Sequence, residues 1–253
     1  MANYNYALKL TILLFLFILT YEYWSTHVNP PDFTAGRTHL IKDVFILAGQ
    51  SNMAGRGGVI NNTWDGAIPP DVKPRPGKIL RLGGDLRWVD AQEPLHADID
   101  VNKTCGVGPG MAFANAVLRG DPGRFTVVGL VPCAIGGSGI GEWSRGGRLY
   151  RGLTRRAAAA VEGGGEIRAL FVDLRDDLKS PLLPVIQVAL ASGEGPYIEM
   201  VRKAQNEINL PNVMTVDAKG LLLQPDGLHL TTNAQVQVGK MLAHAMLRSN
   251  CTP

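Results

Sequence analysis

Five short apolar runs, alternating with stretches of helical period, leave this chain few folds to choose from. "DVFILAG" (43–49), "RFTVVGLVPC" (124–133), "EIRALFV" (166–172), "PVIQVALA" (184–191) and "NVMTVDA" (212–218) are β-branched and apolar at consecutive positions. That pattern belongs to strands covered on both faces. Apolar residues spaced i, i+3, i+4 predict helices over 108–119, 148–162, 196–208 and 233–247, the last opened by a capping box from Thr232 to Gln235. The alternation predicts an α/β domain with a doubly wound parallel sheet. In such sheets sites form beyond the carboxyl ends of the strands, so a functional residue should follow a strand.

With 253 residues, 45% of them hydrophobic, the chain can bury one sizeable core, expected over 41–253. A net charge of +3, with Lys and Arg scattered, argues against a nucleic-acid partner. The pair Arg155–Arg156 is expected on a solvated helix face, and "GGG" (163–165) in a loop. Cys105, Cys133 and Cys251 stand far apart, which excludes a C-x-x-C metal framework and allows one bridge at most. Cys133, inside an apolar run, is expected to be a buried free thiol.

Residues 1–30 differ in character. "LTILLFLFIL" (10–19) follows Lys9, has no small-residue cleavage site after it, and extends from Ala7 to Trp24. A span of that length reaches the lower bound for a membrane helix. A signal anchor is expected, with a cleaved signal peptide and a buried N-terminal helix as alternatives, and 31–40 as linker. Anchor or signal would place the main domain in the secretory pathway, luminal, extracellular or secreted. Sequons at Asn61, Asn102 and Asn250 are compatible with that. Any membrane contact would run through this segment alone.

"ILAGQSNMAGRGG" (46–58) puts Ser51 just after the first run, where a strand-to-helix turn can expose its Oγ. Alone, such a Ser is more often a turn residue. "QPDGLHLTTNAQ" (224–235) supplies Asp226 and His229 on one loop after the fifth run. His229 could take the Ser51 proton through Nε2 while Asp226 fixes the tautomer at Nδ1. Taken alone, that segment would be a D-G turn with a surface His. "CAIGGSGIGEW" (133–143), after the second run, offers Gly136 or Gly137 as a backbone oxyanion donor beside the Ser51 N–H. Gln50, Asn52, Ser138 and Trp143 are candidate substrate contacts, Trp143 by stacking on a sugar face. No register gives a dinucleotide fingerprint, and Ile140 breaks a G-x-S-x-G elbow around Ser138. "LHADID" (95–100) carries His96, Asp98 and Asp100, but no second ligand cluster supports a metal, and a solvated loop is expected.

Together "FILAGQSNMAGRGG", "PLHADIDVNKTCGVGPGMAFANAVL", the 129–143 stretch, "PVIQVALASGEGPYIE" and "DGLHLTTNAQ" resemble the SGNH/GDSL hydrolase superfamily. Within it the chain is most similar to plant carbohydrate esterases with a sialate O-acetylesterase-like (SASA) domain, over 41–248. The resemblance implies a flavodoxin-like three-layer α/β/α sandwich with a mostly parallel five-stranded sheet. It also implies metal- and cofactor-free hydrolysis of O-acetyl esters on carbohydrates. It assigns the nucleophile to Ser51, the orienting acid and base to Asp226 and His229, and the oxyanion glycine to Gly136–Gly137. One departure stands out. Where the family continues through a Trp-Tyr-Gln-Gly-Glu-Ser-Asp segment, "EIRAL" passes directly into "FVDLRDDLKS". Roughly 30 residues, about one crossover unit, are absent between the third and fourth strands. The family's side-chain oxyanion donor, a Gln, goes with them, and losing one such donor typically costs about 100- to 1,000-fold in rate. Two functions follow: a serine-dependent carbohydrate acetylesterase, or an impaired esterase fold serving as a carbohydrate-binding or interaction module. Oligomeric state has no signature in the sequence.

Overall fold

A computed structural model describes residues 43–162, 166–167, 172–193 and 196–249. The segment 1–30, the linker 31–40, the triple glycine 163–165, positions 168–171 of the third apolar run, Asn250 and Cys251 lie outside these residues. Among the described residues no helix is long and apolar enough to cross a membrane.

The chain opens with β1 (Asp43–Leu47) and the single turn α1 (Ser51–Ala54), followed by the hairpin β2 (Val59–Ile60) and β3 (Thr63–Trp64). Strands β4 (Ile79–Leu82) and β5 (Trp88–Asp90) precede α2 (Gly110–Gly120), β6 (Val128–Pro132) and α3 (Arg148–Val161). Then come β7 (Glu166–Ile167), α4 (Val172–Asp177), β8 (Val185–Ala189), α5 (Ile198–Asn206), β9 (Val213–Asp217) and α6 (Thr232–Arg248). The α/β alternation is therefore as the periodicity predicts.

The main sheet is mostly parallel, but its membership departs from expectation. Its order is β5-β4-β6-β1-β7, with β5 antiparallel at the edge. β4 and β5 fall where no strand is expected, because "ILRL" is short and interrupted by Arg81. β8 and β9 pair in parallel with each other, from Val185 opposite Val213 to Ala189 opposite Asp217. Among the described residues no ladder joins them to β7. β7 itself is two residues long, and Val172, expected to end that strand, begins α4 instead.

Helices cover both faces of the main sheet. Phe45 and Leu47 of β1 turn to one side with Val128 and Leu130 of β6, packing on α2 and α6 through Met111, Phe113, Ala234, Val238, Leu242 and Met246. Val44 and Ile46 turn to the other, with Leu80, Leu82 and Val131 against Leu153, Ala157 and Ala160 of α3. All five positions of β1 and of β6 are buried, as continuous apolar runs predict. The rings of Phe45 and Phe113 meet edge to face at 4.8 Å, a contact that adds about 0.5–1.5 kcal/mol to their burial. α6 approaches α2 so closely that a Cβ on Gly239 would lie 2.4 Å from the Pro109 carbonyl oxygen. The face of β9 joins the same core through Val216. The final helix is thus bound to the centre of the main sheet through α2.

Three local expectations are overturned. Arg156 is buried, donating to the carbonyls of Pro132 at 2.8 Å, Gly83 at 2.9 Å and Leu82 at 2.7 Å; Arg155 alone is exposed. These carbonyls lie at or just beyond strand ends, and the guanidinium supplies the donors that a neighbouring strand would otherwise give. The cap of α6 is Thr231, whose side chain accepts from Ala234 N at 3.3 Å. Gln235 is drawn away from the helix end to donate to Asn52 O at 3.0 Å. Lastly, 95–100 is no solvated loop: His96 and Asp100 are 1% and 2% exposed, while Asp98 stays near the surface, paired with Arg81.

Candidate active site

The carboxyl end of β1 leads through Gly49 into a turn whose first carbonyl, that of Gln50, accepts from Met53 N and Ala54 N at 2.9 Å each. Ser51 opens α1, half-buried, with Gln50 exposed before it. No hydrogen bond of Ser51 Oγ is found among the described residues.

The second part of the site is the loop between β9 and α6. Leu223 and Leu230 form an antiparallel bridge, Gln224 N donates to His229 O at 2.6 Å, and Gly227 N closes the D-G turn onto Gln224 O at 2.9 Å. This closed turn puts Asp226 beneath His229. Oδ1 accepts from the backbone N–H groups of Leu228 and His229 at 2.9 Å each, and Oδ2 meets His229 Nδ1 at 2.7 Å. Partial burial raises the Asp226 pKa, but those two N–H groups and the His229 ring outweigh it, and the net direction is downward. The carboxylate therefore stays ionised and accepts a hydrogen bond from the Nδ1 side of the ring.

Asn52 joins the two parts. Its Oδ1 accepts from Leu230 N at 2.9 Å and from Gln235 Nε2 at 3.3 Å, and its Nδ2 donates to Leu228 O at 3.4 Å. The residue after Ser51 thus grips the backbone on both sides of His229. Ser192 Oγ holds the same Leu228 carbonyl at 2.5 Å. Asn52, expected as a substrate contact, has its side chain committed to protein, because a buried backbone N–H and the fully buried Gln235 would otherwise lack acceptors.

The glycine loop leaves β6 alongside β1: Cys133 N donates to Leu47 O at 2.9 Å and Ile135 N to Gly49 O at 3.1 Å. Gly136 N–H is taken by Asp100 Oδ2 at 3.1 Å, and the same oxygen receives Arg56 Nη2 at 2.5 Å. The next residue, Gly137, is exposed with φ at +74°, a conformation that favours glycine. Ser138 Oγ donates to Ile135 O at 2.8 Å and accepts from Trp143 Nε1 at 3.1 Å, so it braces its own turn and holds the half-buried Trp143 over it. Cys133 is free, and burial pushes its thiol up to about 12. Among the described residues no group of three or more His, Cys, Asp or Glu side chains could hold a metal.

The structure brings Asp226 and His229 into contact, as the sequence suggests, and adds a network around them that the sequence does not announce. Arg56, Asp100 and Gln224 belong to the supporting network. Asp100 stands in a polar stretch that reads as surface, so its burial has no local signal. Arg56 has one: a lone Arg within "MAGRGGV" must either reach solvent or find a buried carboxylate.

Comparison with known proteins gives the family. The profile of the family described as "Carbohydrate esterase, sialic acid-specific acetylesterase" (SASA) matches residues 41–172 and 164–248. The chain is 51% identical over 239 positions to "Probable carbohydrate esterase At4g34215" of Arabidopsis thaliana, covering 82% of this chain and 91% of that one. A crystal structure of the Arabidopsis protein AT4G34215 superposes with a TM-score of 0.79 at 50% identity, covering 83% of this chain and 100% of the other. The fold is shared more distantly with NanS, at TM-score 0.58 and 15% identity over 82% and 97% of the two chains. It is also shared with XAC1771, "a novel carbohydrate acetylesterase from Xanthomonas citri", at TM-score 0.51 and 18% identity over 80% and 55%. The chain is an ester-hydrolysing enzyme of α/β fold. It belongs to the SASA family of carbohydrate esterases.

Proposed function

We propose that this protein is a serine-dependent O-acetylesterase acting on acetylated carbohydrate, with Ser51, His229 and Asp226 as its triad. The observation that carries this reading is the Asp226–His229 pair, set on a loop that Asn52, next to Ser51, grips on either side of the imidazole. Ser51 Oγ attacks the acetyl carbonyl and its proton passes to His229 Nε2; Asp226 stabilises the imidazolium. The negative charge on the carbonyl oxygen is met by the backbone N–H groups of Ser51 and Gly137. Gly136 is not assigned this role, since Asp100 takes its N–H. As the intermediate collapses, His229 returns the proton to the departing sugar oxygen. Water then attacks the acetyl-serine, gives a proton to His229, and acetate leaves with Ser51 restored. Trp143 and the exposed glycine loop supply a face on which a sugar ring can stack.

A second reading, an esterase fold with weakened chemistry, draws on the region around β7. The aligned span of 239 positions exceeds what 82% of 253 residues can fill, which supports the absence here of a segment present in the Arabidopsis relative. The family match comes in two overlapping pieces, 41–172 and 164–248. The full chain, assayed on acetylated xylan oligomers and on a small acetyl ester, separates the two. Acetate release abolished by Ser51→Ala supports the esterase. A folded wild-type chain that releases no acetate yet binds the oligomer supports the second reading.

A further inference from the structure

The chemistry above leaves Asp100 without a role, although it is among the most buried charged groups of the molecule. Its Oδ2 receives two donors, Arg56 Nη2 at 2.5 Å and the Gly136 backbone N–H at 3.1 Å. Arg56 is itself fixed from several directions. Its Nη1 donates to Gly55 O at 2.9 Å and to Cys105 Sγ at 3.5 Å, and its carbonyl accepts from Gln224 Nε2. Gln224 in turn donates its backbone N–H to His229 O and its side-chain amide to Leu230 O at 3.2 Å. One buried ion pair is thus bonded to the end of the nucleophile turn, to the glycine loop and, through Gln224, to the loop that carries His229.

We infer that Asp100 is a positioning residue for the esterase reaction: its carboxylate, held by Arg56, fixes the Gly136 peptide so that the next amide, that of Gly137, is presented to the developing oxyanion. The inference rests on the acetylesterase reading. Three features favour positioning over mere packing. A charged acceptor buried with its guanidinium holds a peptide plane more stiffly than a neutral one could, since leaving either partner unpaired in low dielectric is costly. Space at the contact admits glycine only: a Cβ on Gly136 would fall 2.3 Å from Arg56 Nη2 and 3.0 Å from Asp100 Oδ2. And the fixed amide directly precedes an exposed glycine at φ +74°, where the backbone has no other restraint of comparable strength among the described residues.

The test compares the full-length wild type with Asp100→Asn and Arg56→Lys. Steady-state kinetics on a small acetyl ester are read beside the inhibition constant of methylboronic acid, whose tetrahedral serine adduct mimics the oxyanion. In Asp100→Asn, kcat is expected to fall about 100-fold, the scale of a donor displaced by about 1 Å, with KM nearly unchanged and boronate binding weakened. Arg56→Lys should show the same split to a smaller degree. Folded variants with wild-type kcat and boronate affinity would overturn the inference. Amide exchange of the wild type needs no variant: Gly136 should be protected and Gly137 open, and an unprotected Gly136 overturns the inference even if both substitutions prevent folding. A wild type that turns over no ester would remove the acetylesterase reading, and this inference with it.

Discussion

Two buried titratable groups in the segment between β5 and α2 make the stability of the domain depend on pH in a form that Glu93→Gln should change. Glu93 is 7% exposed; burial pushes its pKa up from 4.5 to about 8, against the Leu95 and Gly108 N–H groups that favour its charged form. His96 is 1% exposed; burial lowers its pKa from 6.5 to about 3, outweighing the pull of the Leu47 backbone. Between pH 4.5 and 8 the unfolded chain has lost the Glu93 proton while the folded chain keeps it. Stability from this group therefore falls as pH rises, by about 1.4 kcal/mol per pH unit. Between pH 3 and 6.5 the unfolded chain carries a His96 proton that the folded chain refuses, so that contribution rises with pH at the same slope. The two cancel between pH 4.5 and 6.5. Above 6.5 Glu93 acts alone, and about 2 kcal/mol is lost by pH 8. In Glu93→Gln one of the two backbone donors loses its acceptor, a cost of about 1 kcal/mol that does not vary with pH. Urea unfolding of both proteins at pH 5, 6.5 and 8 reads the difference, in which every other titrating group cancels. The wild type should lose ground to the variant steadily as pH rises. Parallel profiles from pH 6.5 to 8 would mean that the folded Glu93 is already ionised and would refute the reasoning.

Other substitutions probe the parts separately. Asn52→Ala removes the acceptor of the buried Leu230 N–H and the grip on Leu228, and should lower stability by about 2 kcal/mol. Its kcat on a small acetyl ester should fall further than the unfolded fraction explains, and an unchanged kcat in the folded variant would separate the clamp from the chemistry. Arg156→Met strips three carbonyls of their donor and should cost about 3 kcal/mol in urea unfolding, with Arg156→Lys recovering only part, since a point charge cannot span all three. Cys133 should resist thiol reagents until the domain unfolds, because a buried thiol with its pKa near 12 supplies almost no thiolate at neutral pH. Rapid labelling of the native chain at Cys133 would contradict its burial.

How much of this was legible in the sequence depended on range. β1 and β6 were read because burial on both faces writes itself as consecutive apolar residues, and α2, α3, α5 and α6 because a packed face repeats with the helical turn. β4 escaped because only Ile79, Leu80 and Leu82 mark it, with Arg81 between them making its pair with Asp98 at the surface. Asp226 and His229 were legible because both lie on one short turn whose geometry the D-G pair sets. Long-range pairing left no such trace. Asp100 with Arg56, and Asn52 with Gln235, are each a polar residue whose burial depends on a partner many positions away.

The same distinction bears on whether the shortened crossover proposed above would disable the enzyme. Ser51 follows β1 and the glycine loop follows β6, and those neighbours share five rungs at the centre of the sheet. The loop with His229 follows β9, which among the described residues pairs with β8 and not with the main sheet, so that sheet's ladder does not by itself fix the loop. Two attachments that bypass β7 fix it. α6 leads away from the His229 loop and packs on α2 at a contact with room only for Gly239, and α2 rests on β1 and β6. Asn52 and Gln224 bond the loop directly to the nucleophile turn. Both attachments lie on the face of β1 opposite α3, the side that Phe45 and Leu47 occupy. The acid–base half of the site therefore draws its position from the α2–α6 layer.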